Sequence, residues 1–371
     1  MRVRSTGQND FLSFIKCNFR LQSHLFDNIV CRLTGKIEYF NVFSIALNRH
    51  YNFVKLACVG VARQMGERGK DMSLLVVGSV AYDNIETPTE RREDVLGGSA
   101  LHFSYAASLF SPVQLVAVVG NDWRKEHTTR LEARGVDMSG LEVCADGKTF
   151  RWTGRYHENM DDRDTLETQL NVLADFDPKL PDAAQRAQFV FLANGSPQTQ
   201  LRVIEQLQGA DLIVADTMNF YIDRDRDVLL ELLQKIDGLV VNDSEAKQLT
   251  GAIGILAAAL AILKFGPRFV IVKKGENGAM FVSRHDIYLI PAFPTENLVE
   301  PTGAGDSFAG GMMGYIASQG KTDSETIQKA IAYGTIVASF QVEGFGAEKL
   351  EQITREDIDE RLAKFRHMVS F

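Results

Sequence analysis

From Met72 onward, short apolar runs alternate with longer stretches of mixed polarity, the rhythm of strands and helices in an α/β sheet. Residues 74–80, 114–119, 189–193, 212–215, 238–241, 269–273 and 279–283 read as strands. Unbroken runs such as Leu74-Leu75-Val76-Val77 and Phe269-Val270-Ile271-Val272 are the pattern of parallel strands covered on both faces. Helices are predicted over 99–110 with Ser99 as N-cap, 122–134, 197–207 opened by Pro197, 225–235, from Asp243, and over 305–318, 324–342 and 355–366. Residues 148–156 and 165–173 alternate instead, and are rich in threonine and aromatics. They predict a two-stranded excursion joined by the charged, solvated turn 158–164. One α/β domain over 72–371 with a small β excursion near 148–173 accounts for the pattern.

Residues 1–71 break this rhythm. They carry eleven Lys/Arg against five Asp/Glu, seven of the 23 phenylalanines and three of the four cysteines, with no sustained helical or strand period. They are expected to be an atypical extension: first a mis-assigned start with no selected fold, then an accessory segment, then a targeting peptide. Asp10, Asp27 and the lack of a clean apolar region weigh against the last. Residues 72–371 are expected to fold and function without them.

Composition narrows the class. The net charge of -8 disfavours a nucleic-acid binder, and 45% apolar residues suffice for a large core. No stretch is apolar over the ~18 residues of a membrane span. Cys17, Cys31, Cys58 and Cys144 form no CxxC pair, so no zinc site is indicated, and reduced thiols in a cytoplasmic protein are expected.

The chemistry concentrates in Glu300-Pro301-Thr302-Gly303-Ala304-Gly305-Asp306, which runs directly into an apolar helix. Gly303, Ala304 and Gly305 leave backbone amides uncovered at a helix N-terminus, where unpaired N–H groups and the helix dipole hold anions. Asp306 is the one acid in that turn and is placed to take a proton from an attacking hydroxyl. It also suits the plainer role of complementing the dipole. Neither a GxxxxGK[ST] loop nor a GxGxxG fingerprint occurs.

This segment closely resembles the signature of the ribokinase-like (phosphofructokinase B) family of carbohydrate and nucleoside kinases, and further motifs follow in family order over residues 72–345. Gly78-Ser79-Val80-Ala81-Tyr82-Asp83 is similar to the family's first strand and turn. Gly97-Gly98-Ser99-Ala100 is similar to its first glycine signature, with His102 expected to face the same pocket. Asp216-Thr217-Met218-Asn219 resembles an Asp-Pro-Asn segment, with Thr-Met in place of proline. Asn242-Asp243-Ser244-Glu245 matches Asn-x-x-Glu, and Lys274-Gly275-Glu276-Asn277-Gly278 resembles the nucleotide-side turn.

The resemblance implies a three-layer α/β/α ribokinase-like fold with a β-sheet lid, ATP and Mg²⁺ as co-substrate and cofactor, and phosphoryl transfer to a sugar-like hydroxyl. It implies Asp306 as base, Gly303, Ala304 and Gly305 as anion hole, and Asp83, Gly97, Gly98, Ser99 and His102 around the acceptor. Asn242, Glu245, Lys274, Gly275, Gly278 and Thr302 are implied on the ATP side, with Glu245 holding Mg²⁺ through water. The 148–173 lid offers Arg151, Trp152, Arg155 and Tyr156 to substrate or to a partner lid, which makes a homodimer an expectation. Ala338 and Ser339 fall where the family packs adenine. Glu300 stands where the family usually carries the aspartate beside a monovalent cation, so K⁺ use hangs on one added methylene. A sugar is the first expected acceptor and a nucleoside the alternative; a catalytically silent sugar sensor is the rival of another class.

Overall fold

Leu74, Leu75, Val76 and Val77 send alternate side chains to opposite faces of strand β1 (Leu74–Val77), and each face meets its own apolar core. Leu74 and Val76 join helices Ser99–Ala107, Ala304–Gln319, Ser324–Gln341 and Arg355–Val369. Leu75 and Val77 join helices Pro197–Gln206, Arg226–Leu233, Asp243–Thr250 and Ile255–Ile262. The result is the expected three-layer α/β/α arrangement. The computed structural model describes residues 73–370, so the extension expected over 1–71 lies outside the described residues.

The remaining strands are β2 (Ala81–Glu86), β3 (Arg91–Gly97), β4 (Val113–Val119), β5 (Val136–Val143), β6 (Phe150–Tyr156), β7 (Arg163–Gln169), β8 (Phe189–Leu192), β9 (Leu212–Asp216), β10 (Gly238–Asn242), β11 (Phe269–Lys273), β12 (Ala279–Ser283) and β13 (Ile287–Ile290). The central sheet has nine strands in the order β13-β12-β11-β10-β9-β8-β1-β4-β5. Strands from β11 to β5 in that order pair in parallel, while β12 and β13 are antiparallel. Parallel pairing brings the carboxyl ends of β1, β8, β9, β10 and β11 to one edge, where open α/β sheets bind ligands.

The lid differs from the two-stranded excursion predicted. It is a separate four-stranded sheet in the order β3-β2-β6-β7. Residues 81–97, read as a motif and loop, supply half of it. The run 74–80 is therefore two elements: β1 ends at Val77 and the chain turns through 78–80 into β2. Among the described residues no single helix is long and apolar enough to cross a membrane, and Cys144 carries a free, half-buried thiol.

Candidate active site

Strands β9, β10 and β11 are apolar until their last residue, and each then ends on a polar one: Asp216, Asn242 and Lys273. Asn242 and Lys273 are register partners. Asp216 lies beyond β10 from Lys273, yet the lysine reaches it, with Nζ donating to Asp216 Oδ2 at 3.0 Å. Asp216 Oδ1 accepts from the amide of Thr217 at 2.8 Å. Asn242 caps helix Asp243–Thr250: its Oδ1 accepts from the Glu245 amide at 2.7 Å, and Glu245 Oε2 accepts from the Asn242 amide at 2.8 Å. The capping box thus occupies Glu245 Oε2 and leaves Oε1 outside it.

Helix Ala304–Gln319 points its N-terminus at this edge. Gly303 is its N-cap at φ 75°, a backbone that favours glycine, and no side chain caps the helix among the described residues. Gly305 faces Lys273: a Cβ at Gly305 would sit 2.9 Å from Nζ. Asp306 is half-buried in the first turn. Burial, then the field of Asp216, pushes its carboxyl up to about 7, against the opposing pull of Lys273 and Arg163. Burial and Asp216 also raise Glu245. The Lys273 ammonium is disfavoured by burial, but Asp216, Glu245 and Asp306 outweigh this and hold it above its ordinary value.

Asp83 is buried on β2 against Gly97, where a Cβ would lie 1.9 Å from Oδ2. Burial and then the carboxylates of Glu300 and Asp306 raise it well above the usual range, so Asp83 and Asp306 share one electrostatic neighbourhood. Gly98 is the N-cap of helix Ser99–Ala107. The Ser99 amide donates to Ser79 Oγ at 3.0 Å and Ser99 Oγ to the Asn194 carbonyl at 3.3 Å, so Ser99 fastens the two strand ends together.

The lid closes over both halves. Asp83 pairs in register with Trp152, and Ile85 with Gly154, which sets Asp83, Ile85, Trp152 and Tyr156 on one face. The hydroxyls of Tyr156 and Thr302 share a hydrogen bond at 2.8 Å, tying the lid to the anion loop. Arg163 on β7 lies close enough to favour the ionised forms of Glu245, Glu300 and Asp306.

Two buried groups beneath the loop hold its shape. Glu300 is wholly buried; Oε1 accepts from the Thr302 amide, while Oε2 has no hydrogen-bond partner among the described residues. Burial pushes it up to about 7. Gln341, also wholly buried, donates through Nε2 to the carbonyls of Thr302 at 3.0 Å and Gly346 at 2.6 Å.

Most of the expected residues meet here, with one change of place. His102, expected to face the acceptor, is 1% exposed instead, and its ring lies under Gly303, 2.4 Å from where a Cβ would be. Helical geometry turns it under the loop. Burial lowers it to about 4, which keeps the imidazole neutral. Beside the expected Lys274, the preceding Lys273 also reaches this edge, its ammonium lying between Asp216 and Gly305. Lys274 opens the turn with Gly275 and Gly278, its amide donating to the Gly278 carbonyl at 2.8 Å. Sequence reasoning also missed Gln341, which looks like any polar residue late in a helix, and Arg163, hidden in the charged turn.

The family model of pfkB family carbohydrate kinases matches residues 71–353. A cytidine kinase of Thermococcus kodakarensis is 30% identical over 265 residues, 69% of this chain and 92% of that protein. A nucleoside kinase of Methanothermobacter thermautotrophicus is 28% identical, over 75% of this chain and 92% of that protein. Among solved structures, the Methanocaldococcus jannaschii nucleoside kinase superposes with a TM-score of 0.63 at 20% identity, covering 79% of this chain and 98% of that one. An Escherichia coli structure in complex with ATP and Mg²⁺ gives a TM-score of 0.63 at 20% identity, covering 79% and 99%. These structures share the fold described above.

Proposed function

The chain belongs to the pfkB family of carbohydrate kinases and transfers a phosphoryl group from ATP to an alcohol, and from this premise we propose that Asp306 is its catalytic base and the sugar hydroxyl of a nucleoside its acceptor. Asp83 holds the acceptor at the lid's root. The Asp306 carboxylate takes the hydroxyl proton as the new O–P bond forms; the bond from the γ-phosphorus to the β–γ bridging oxygen breaks and ADP leaves. The amides of Gly303 and Gly305, at the positive end of a helix with no side-chain cap, meet the charge on the transferring oxygens; the Ala304 amide, expected beside them, donates to the Pro301 carbonyl at 3.1 Å and closes the turn.

The observation carrying this is a half-buried carboxyl, raised to about 7, in the first turn of that helix and in the field shared with Asp83. Asp306→Asn should lower kcat by about 10³-fold or more while ATP still binds. Turnover near wild type would refute the assignment.

Magnesium fits the donor set. No group of three His, Cys, Asp or Glu side chains is arranged to hold a metal ion by itself among the described residues. Mg²⁺ in nucleotide sites keeps its waters and uses one or two carboxylates with substrate phosphates. Glu245 and Asn242 would hold it through water, and its charge would neutralise the phosphates. The unpartnered, buried Glu300 Oε2 fits a monovalent cation. Higher turnover in KCl than in tetramethylammonium chloride is expected, and equal rates would remove that cation.

A nucleoside is favoured over a free sugar by the relatives: the two above that align over most of their length are a cytidine and a nucleoside kinase. Trp152, half-buried and in register with Asp83, gives a planar base one aromatic ring, while Tyr156 and Phe345 are buried behind it. ADP release with cytidine, uridine, adenosine, inosine, ribose and deoxyribose should give kcat/KM at least about tenfold higher for one nucleoside than for either sugar. The reverse ranking would restore the sugar reading.

A further inference from the structure

We propose that Lys273 is a phosphate-gripping catalytic residue, parked on Asp216 and transferring its contact to the γ-phosphoryl group when nucleotide binds. The inference rests on the anion-site reading of helix Ala304–Gln319 and assigns a side-chain cation to it.

Three placements carry it. Lys273 is the last residue of β11, so its backbone is fixed at the ligand-binding edge of the sheet. Its ammonium crosses above β10 to Asp216 Oδ2 at 3.0 Å, with the side chain only 20% exposed. From the other side it abuts the anion loop, where a Cβ at Gly305 would stand 2.9 Å from Nζ. The loop's second glycine therefore leaves room for this ammonium as well as for phosphate. A lysine ammonium has three donors, and Asp216 takes one; among the described residues no other hydrogen bond to Nζ forms. The two unspent donors sit beside Gly305. A compact charge on a flexible stem can pivot from a carboxylate to a phosphate oxygen without moving the strand.

The competing role is plain neutralisation of buried Asp216, and ATP affinity separates the two. Dissociation constants for ATP would be measured with wild type, Asp216→Asn, Lys273→Met and the double variant, with circular dichroism confirming each fold. If Lys273 grips phosphate, Asp216→Asn binds ATP at least as tightly as wild type. Lys273→Met and the double variant then both weaken ATP binding by about tenfold or more. Lys273→Arg should recover part of the loss. If the lysine only neutralises Asp216, the double variant binds ATP like Asp216→Asn, and the proposal is overturned. Asp306→Asn serves as the control for the underlying site: unchanged turnover there refutes the base, whereas recovery in the double variant refutes the lysine alone.

Discussion

The proposed base Asp306 can take a proton only when ionised, and its surroundings push its carboxyl above the usual carboxylate range. Burial disfavours the carboxylate, Asp216 repels it, and Lys273 with Arg163 recovers part of the cost, leaving the group at about 7. Below that value the proton is already on the base, so kcat/KM should drop about tenfold per pH unit. Above it the profile should flatten. A pH–rate profile from 5.5 to 8.5, run at saturating Mg²⁺, checks this. An acidic limb centred below about 5 would mean that burial does not set the working pKa. Bound ATP adds negative charge beside Asp306 while Mg²⁺ removes it, so the limb of kcat reports the balance of the two.

At the scale of elements, a polar latch holds the lid to the loop, the 2.8 Å contact between the Tyr156 and Thr302 hydroxyls. A hydrogen bond of this kind contributes about 0.5–1.5 kcal/mol net. Tyr156→Phe keeps the ring that packs with Ile85 and Phe345 and removes only the latch. The acceptor KM should rise by roughly two- to tenfold, with the thermal midpoint little changed; an unaltered KM would show that the lid closes without it. Half of this lid was illegible in the sequence. Strands β2 and β3 read Ala-Tyr-Asp-Asn-Ile-Glu and Arg-Arg-Glu-Asp-Val-Leu-Gly, too charged to look like core, because β2 buries Asp83 among its apolar residues and β3 is largely exposed. β5 escaped for the same reason, with Asp137, Ser139 and Glu142 along it. The central strands and the anion loop were legible because they obey one rule each: an unbroken apolar run, and small residues before a helix. Lys273 closes such a run and was passed over for its neighbour. Gln341 has no local signature, since its partners, Thr302 and Gly346, are set by tertiary packing.

For the whole molecule, folding requires that apolar faces on both sides of the nine-stranded sheet be covered. Among the described residues they are. One core starts at Leu74 and closes at Phe365, and the other runs from Leu75 to Val282. The polar constellation draws on residues from Asp83 to Gln341, and the matched family region begins at residue 71. Each part of the site therefore has its supporting element downstream of Met72. A chain beginning at Met72 should be soluble, unfold in one cooperative transition and keep kcat/KM within about twofold of the full chain. An insoluble or inactive product would show that the basic leader completes a core or the site. A soluble product with altered acceptor KM alone would instead point to the lid, whose outer strand β7 is exposed along its whole length and open to a covering segment.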